Sequence, residues 1–158
     1  MALNKDYEDL LHLFNTEGVR YLIVGAYAVI YYTEPRYTKD IDIWIESSDD
    51  NAERVYKALK KFGAPLKELT LVDLVNPDLV YQIGVEPNRV DILMGMENIH
   101  FTDAWKNKTK TTFGNEEMYI IGIDDLIKAK KQAGRTRDKV DLEVLDLYLK
   151  NKKKKSKK

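Results

Sequence analysis

Three aspartates and one glycine are the residues of this chain whose types and spacing could do chemistry together. Asp40 and Asp42 lie in Asp40-Ile41-Asp42-Ile43-Trp44-Ile45, an alternation with the period of a half-buried strand. Strand side chains alternate faces, so both carboxylates point one way and Ile41 and Ile43 the other. Two ionised carboxylates one strand repeat apart repel each other and lose hydration. A divalent cation between them reverses that cost, and hard oxygen donors suit magnesium. Asp91 stands between Val90 and Ile92 in a second strand pattern, Arg89 to Leu93, where an acid is expensive unless paired or metal-bound. Were the two strands neighbours, three carboxylates would converge as the donor set of a two-metal centre. The same spacings also suit acids on a strand's wet face.

Gly25 closes the apolar run Tyr21-Leu22-Ile23-Val24 and precedes a short apolar helix, Ala26 to Tyr32, which Glu34-Pro35 breaks. Glycine lets a backbone approach a ligand closely, and unpaired N–H groups at a helix start attract phosphate. A tight strand-to-helix turn needs glycine for conformation alone, so Gly25 by itself decides nothing.

Around these residues the sequence sets out a strand, helix, strand rhythm, which argues for an α/β or α+β sheet protein. Lys5 to Glu17 is an amphipathic helix with Tyr7, Leu10, Leu11 and Phe14 on one face. Ser47-Ser48-Asp49 supplies the cap of a helix running to Phe62, and Leu66 to Leu74 reads as another short helix. Val80–Val85 and Arg89–Leu93 form a hairpin about Glu86-Pro87-Asn88, and Thr109–Phe113 and Met118–Ile121 a second about Gly114-Asn115. Phe101 to Trp105 suits a turn of helix. Asp124 opens a helix through Ala133, and a last helix covers Arg137 to Leu149 with Val140, Val144, Leu145, Leu147 and Tyr148 as its apolar positions. These two helices are expected to pack as a cap beside the sheet.

At 158 residues the chain suits one domain, residues 1–149, with residues 150–158 as a disordered lysine-rich tail. No apolar stretch approaches a membrane span, and the N-terminus lacks a signal-peptide layout, so a cytoplasmic protein with no membrane partner is expected. The absence of cysteine excludes disulfides and thiolate metal sites. His12 and His100 are too few for a zinc cluster and read as surface or structural residues. A net charge of zero hides an asymmetry: the last nine residues hold seven lysines, leaving an acidic body. Such a tail either touches nucleic acid or merely solubilises, and an acidic body without a basic face favours the second.

The order Val24-Gly25-Ala26, thirteen residues, Asp40-Ile41-Asp42, then Val90-Asp91-Ile92 resembles the nucleotidyltransferase superfamily, with its DNA-polymerase-beta-like fold. The lead-in Arg36-Tyr37-Thr38-Lys39 and the C-terminal Asp125-Leu126-Ile127-Lys128-Ala129-Lys130, Gly134-Arg135 and Asp138 look like small stand-alone members. These include proteins related to abortive-infection toxins and to antitoxins that modify a partner.

The resemblance implies a mixed, mostly antiparallel sheet with flanking helices, and transfer of a nucleoside monophosphate from a triphosphate such as ATP to a hydroxyl of a protein or RNA acceptor, with release of pyrophosphate. It implies that Asp40 and Asp42 hold two magnesium ions and that Asp91 completes the one activating the acceptor. It further implies that the backbone of Gly25 and Ala26 cradles the β and γ phosphates, with Lys130 and Arg36 as cations toward the triphosphate. For both cations an ordinary salt-bridging role stands beside that one. The family usually has serine or glycine where Ala26 stands. Alanine keeps the backbone donor and lacks the hydroxyl, a loss of roughly 1.5–3 kcal/mol for a hydrogen bond to a charged group. Ala26 therefore leaves open a second expectation, a non-catalytic nucleotide-binding or antitoxin-like module acting with a cognate partner protein. A third, nucleic-acid binding through the tail, predicts steep salt dependence.

Overall fold

The computed structural model describes residues 4–156, with side chains to residue 154. Six strands form a single mixed sheet: β1 (Tyr21–Val24), β2 (Asp40–Ile45), β3 (Val80–Ile83), β4 (Arg89–Leu93), β5 (Thr109–Phe113) and β6 (Glu116–Ile120), in the order β3-β4-β2-β1-β6-β5. β1 runs antiparallel to β2 and parallel to β6, β2 runs parallel to β4, and the β3–β4 and β5–β6 hairpins are antiparallel. The sheet is thus mixed with antiparallel pairs in the majority, as the family resemblance implies. β1 is buried at all four positions, which its uninterrupted apolar run requires of a strand paired on both sides.

Among the described residues six α-helices flank the sheet: α1 (Lys5–Thr16), α2 (Gly25–Tyr32), α3 (Asp49–Phe62), α4 (Phe101–Lys106), α5 (Ile123–Ala133) and α6 (Thr136–Ser156). The Asn4 side chain caps α1 by accepting from the N–H groups of Asp6 and Tyr7. Tyr7, Leu10, Leu11 and Phe14 of α1 are buried, and the helix packs on α3 and β6. α3 starts at Ser48, whose hydroxyl accepts from the Asn51 N–H, and stops at Gly63 in the left-handed region. α2 packs against β1 and β2, and α5 and α6 pack on each other and on α2.

Three expectations are corrected. Leu66 to Leu74 is a run of turns, with one 3-10 turn at Asp73–Val75. Thr70 and Asp73 exchange hydrogen bonds, each side chain accepting the other's backbone N–H at 3.2 and 3.0 Å, and such local bonds compete with helix. The last helix runs on to Ser156 instead of fraying after Leu149, so residues 150–156 are helical; residues 157–158 lie outside the described residues. Lysine is a good helix former, no glycine or proline follows Leu149, and Lys150 pairs with Asp146 one turn back at 3.1 Å. Finally, Val140 and Leu147 of α6 face solvent, while Asp138, Asp141 and Leu145 are buried. The inward stripe keeps helical spacing, but two of its members are acids.

Asn51 fastens the sheet to α3. Fully buried, it accepts from the Arg20 N–H at 2.8 Å and donates to the carbonyls of Arg20 and Glu46 at 3.0 and 2.9 Å. One amide thereby joins the entry of β1 to the exit of β2. Asn51→Ala orphans these buried groups and is expected to lower stability by about 2–4 kcal/mol, read from urea unfolding. A loss below about 0.5 kcal/mol would contradict the assignment.

Candidate active site

The parallel pairing of β2 with β4 sets Asp40 opposite Arg89 and Asp42 opposite Asp91. With a side-chain period of two, all four side chains share one face. One carboxylate oxygen from each of Asp40, Asp42 and Asp91 lies within 4.8 Å of the others. Asp91 is buried, and Asp40 and Asp42 are partly exposed. Proximity of three acids penalises ionisation. Burial first, then the charges of Asp40 and Asp91, push the Asp42 carboxyl up to about 7.

Gly25 has a positive φ of 67°. A Cβ there would collide with the Asp42 carboxylate, so this glycine both turns the chain and makes room for an acid. α2 begins at Gly25 without a side-chain cap, and Gly25 and Ala26 line a cavity together with Asp40, Asp42 and Asp91. The hard-oxygen donor set fits a divalent cation, and Gly25 lets the Asp42 carboxylate lie against the start of α2.

A protein cation already answers part of this charge. The Arg89 Nη2 lies 2.6 Å from Asp40 Oδ2 and 3.2 Å from Asp91 Oδ2, and Nε lies 3.1 Å from Asp91 Oδ1. Its strand is fixed from below by α1, where the buried Tyr7 hydroxyl donates to the carbonyls of Arg89 and Pro87 at 3.0 and 3.3 Å.

Two cavities meet at Asp42 and Asp91. One, of about 360 Å³, has Val24, Val80, Leu93, Met96 and Leu126 among its walls. The other, of about 460 Å³, is polar and takes in Ala26, Arg36, Thr38, Asp40 and Arg89. Gly25, Asp42, Asp91, Lys130, Arg135 and Arg137 border both.

Lys130 and Arg36 both reach this region, held by acids of α6. Lys130 Nζ, buried, lies 3.2 Å from Asp138 Oδ1 and 3.1 Å from Asp141 Oδ2, and Arg36 Nη1 lies 2.9 Å from Asp141 Oδ1. Arg135 adds its Nε at 2.7 Å from Asp138 Oδ2 and its backbone N–H at 3.1 Å. Burial works against ionisation of Asp138, but Arg135 and Lys130 outweigh it and hold the carboxyl down to about 2. The network ties the loop before β2 to α5 and α6. Arg89, Arg137 and Asp141 were not among the residues singled out from sequence. Arg89 carried a usable signal, since it precedes Asp91 by one strand repeat and so shares its face. His12 and His100 lie elsewhere: His12 Nδ1 is 2.9 Å from Glu116 on the surface, and His100 is exposed before α4.

No family model and no curated protein matches this sequence. Solved structures do. The lincosamide antibiotic adenylyltransferase LnuA, lincomycin-bound, aligns over 90% of this chain and 96% of its own at a TM-score of 0.59 and 16% identity. A candidate nucleotidyltransferase from Thermotoga maritima aligns over 95% of this chain and 96% of its own at a TM-score of 0.60 and 14% identity. The chain shares its fold with these two proteins.

The raised Asp42 carboxyl has a consequence for stability. Its folded pKa of about 7 stands above the ordinary 3.8, so the folded state holds that proton more tightly. The stability it contributes is fully present below pH 3.8 and is lost as pH rises through about 7. In chelator at pH 8, Asp42→Asn is therefore expected to stabilise the chain by on the order of 2 kcal/mol, with the gain vanishing toward pH 4. Thermal melts across that range check it; a gain equal at both ends, or a loss at pH 8, contradicts it.

Proposed function

We propose that this chain is a magnesium-dependent nucleotidyltransferase, moving a nucleoside monophosphate from a triphosphate to a hydroxyl of a protein or RNA acceptor in the cytoplasm. The observation that carries this reading is the meeting of Asp40, Asp42 and Asp91 beside the Gly25 turn, between two cavities. The shared fold supports it, and LnuA is an adenylyltransferase.

Asp40 lines the polar cavity, and Asp42 and Asp91 border both. The triphosphate belongs in the polar cavity, over the backbone donors of Gly25 and Ala26 and among the cations, where an anion is best stabilised. The acceptor hydroxyl belongs on the Asp91 side, toward the apolar cavity. Asp40, Asp42 and Asp91 would hold two magnesium ions, which lower the pKa of the hydroxyl and neutralise charge on the leaving pyrophosphate. The hydroxyl oxygen bonds to the α-phosphorus as the bond to the β-phosphate bridge breaks, and pyrophosphate departs. The chain's own residues orient these partners in line and exclude water, which is where most of the acceleration in phosphoryl chemistry lies. The Lys130 and Arg36 side chains act here by holding the α6 acids and the loop before β2 at the cavity's edge, and by adding positive potential to it.

Incubation with each of the four labelled triphosphates, magnesium and acceptors tests the reading. Acceptors include RNA, protein and small hydroxylated molecules, since the apolar cavity lies in the range of small-ligand sites. Transfer is expected, falling by about a hundredfold or more in Asp42→Asn. No transfer by the parent chain with any triphosphate contradicts it. Ala26 favours a second reading, a module that binds nucleotide without turnover, perceptible as calorimetric binding in the absence of product. Ala26→Ser restores a donor for phosphate and is expected to tighten triphosphate binding by about tenfold. Unchanged or weaker binding would place the phosphates away from α2.

A further inference from the structure

The Arg89 guanidinium occupies ground that the proposed chemistry needs. It spans Asp40 and Asp91 with three contacts of 2.6 to 3.2 Å, and its other charged neighbour is Glu86, 3.8 Å from Nη1. Both oxygens of Asp91 and one of Asp40 contact Arg89, so a cation joining the two acids competes with it for them. The side chain is 28% exposed and lines the polar cavity, so it has room to leave. Its backbone, in contrast, is fixed by pairing with Asp40 and by the Tyr7 hydroxyl.

We propose that Arg89 is an exchangeable counter-cation and positioning residue. Paired as it stands, it neutralises Asp40 and Asp91; when metal and triphosphate arrive together it yields the carboxylates and turns its fork onto phosphate oxygens in the polar cavity. The driving force is a matched swap. The incoming metal takes over the carboxylate charge, and the triphosphate offers the freed guanidinium a planar bidentate partner. No covalent bond is made or broken, and Arg89 stays protonated throughout. Two effects of opposite sign follow. Arg89 competes with metal alone, because without phosphate the released guanidinium gains nothing. It helps metal with nucleotide, because phosphate receives it. The arrangement disfavours bare metal uptake and makes metal binding depend on the triphosphate.

This inference rests on the proposed nucleotidyl-transfer site, and the test separates the two. Manganese binding to the full chain is measured by electron paramagnetic resonance at pH 8, alone and with a non-hydrolysable triphosphate. Arg89→Gln is expected to bind manganese alone about tenfold more tightly and the nucleotide, at saturating manganese, about tenfold more weakly. Arg89→Lys keeps the charge without the fork and should fall between on the first count while matching Arg89→Gln on the second. A merely structural role would move both affinities the same way, so shifts of one sign, or none in either, overturn the proposal. Thermal melts of both variants establish that they fold; should Arg89→Gln not fold, Arg89→Lys carries the decision, and nucleotide binding at the parent's affinity sinks the idea. If the parent chain takes up no manganese in either condition, the metal site itself fails. Normal uptake with an indifferent Arg89→Gln fails this inference alone.

Discussion

Like-charge repulsion at the head of β2 is the constraint to which this molecule answers. Register, not loop geometry, brings the acids together: parallel pairing of β2 with β4 puts Asp42 opposite Asp91 and Asp40 opposite Arg89. A one-residue slip would turn these side chains to the other face and drive Ile41 and Ile43 into the polar cavity. Register is secured by Ile41, Ile43, Val90 and Ile92, all buried on the side away from the acids. The core therefore fixes the acids by exclusion, with each apolar residue that goes inward sending its neighbour into the site.

Charge is then laid out in shells. The triad is innermost, with Arg89 against it; Lys130, Arg135 and Arg36 stand next; Asp138 and Asp141 hold those cations from behind. Asp138 and Asp141 lie on α6 at positions where a helix ordinarily buries aliphatic side chains. Their burial is tolerable because each carboxylate meets at least two cations, and removing one partner from such a network is costlier than its net worth suggests. The C-terminal helical pair is thus a carrier of oriented charge beside the sheet as well as a packing element.

Much of this was legible in the sequence, and the rest was hidden for identifiable reasons. The alternation in Asp40–Ile45, the apolar run of β1 and the Gly25 break gave the strands, the turn and the common face of Asp40 and Asp42. The adjacency of β2 and β4 is a long-range pairing across α3, so the sequence could state it only as a condition. Leu66–Leu74 misled because its leucines have helical spacing, while Thr70 and Asp73 satisfy each other's backbone groups locally instead. α6 misled in two ways. Its lysines look like a solvated tail yet propagate helix well, and its buried face is written in aspartates, which a search for apolar periodicity passes over. Lys130 was recognisable as a cation near the site, but its acid partners make it a member of a network rather than a free charge. Gly25 was read as room for a phosphate. The nearer demand on it is room for Asp42.

The account stands on one claim, that Asp40, Asp42 and Asp91 jointly bind divalent metal with the triphosphate laid over Gly25 and Ala26. Anomalous diffraction from a crystal grown with manganese and a non-hydrolysable triphosphate measures it directly. The account predicts anomalous peaks in contact with all three carboxylates and the β and γ phosphates against the first turn of α2. Manganese bound elsewhere, or a triphosphate seated away from that turn, would contradict it.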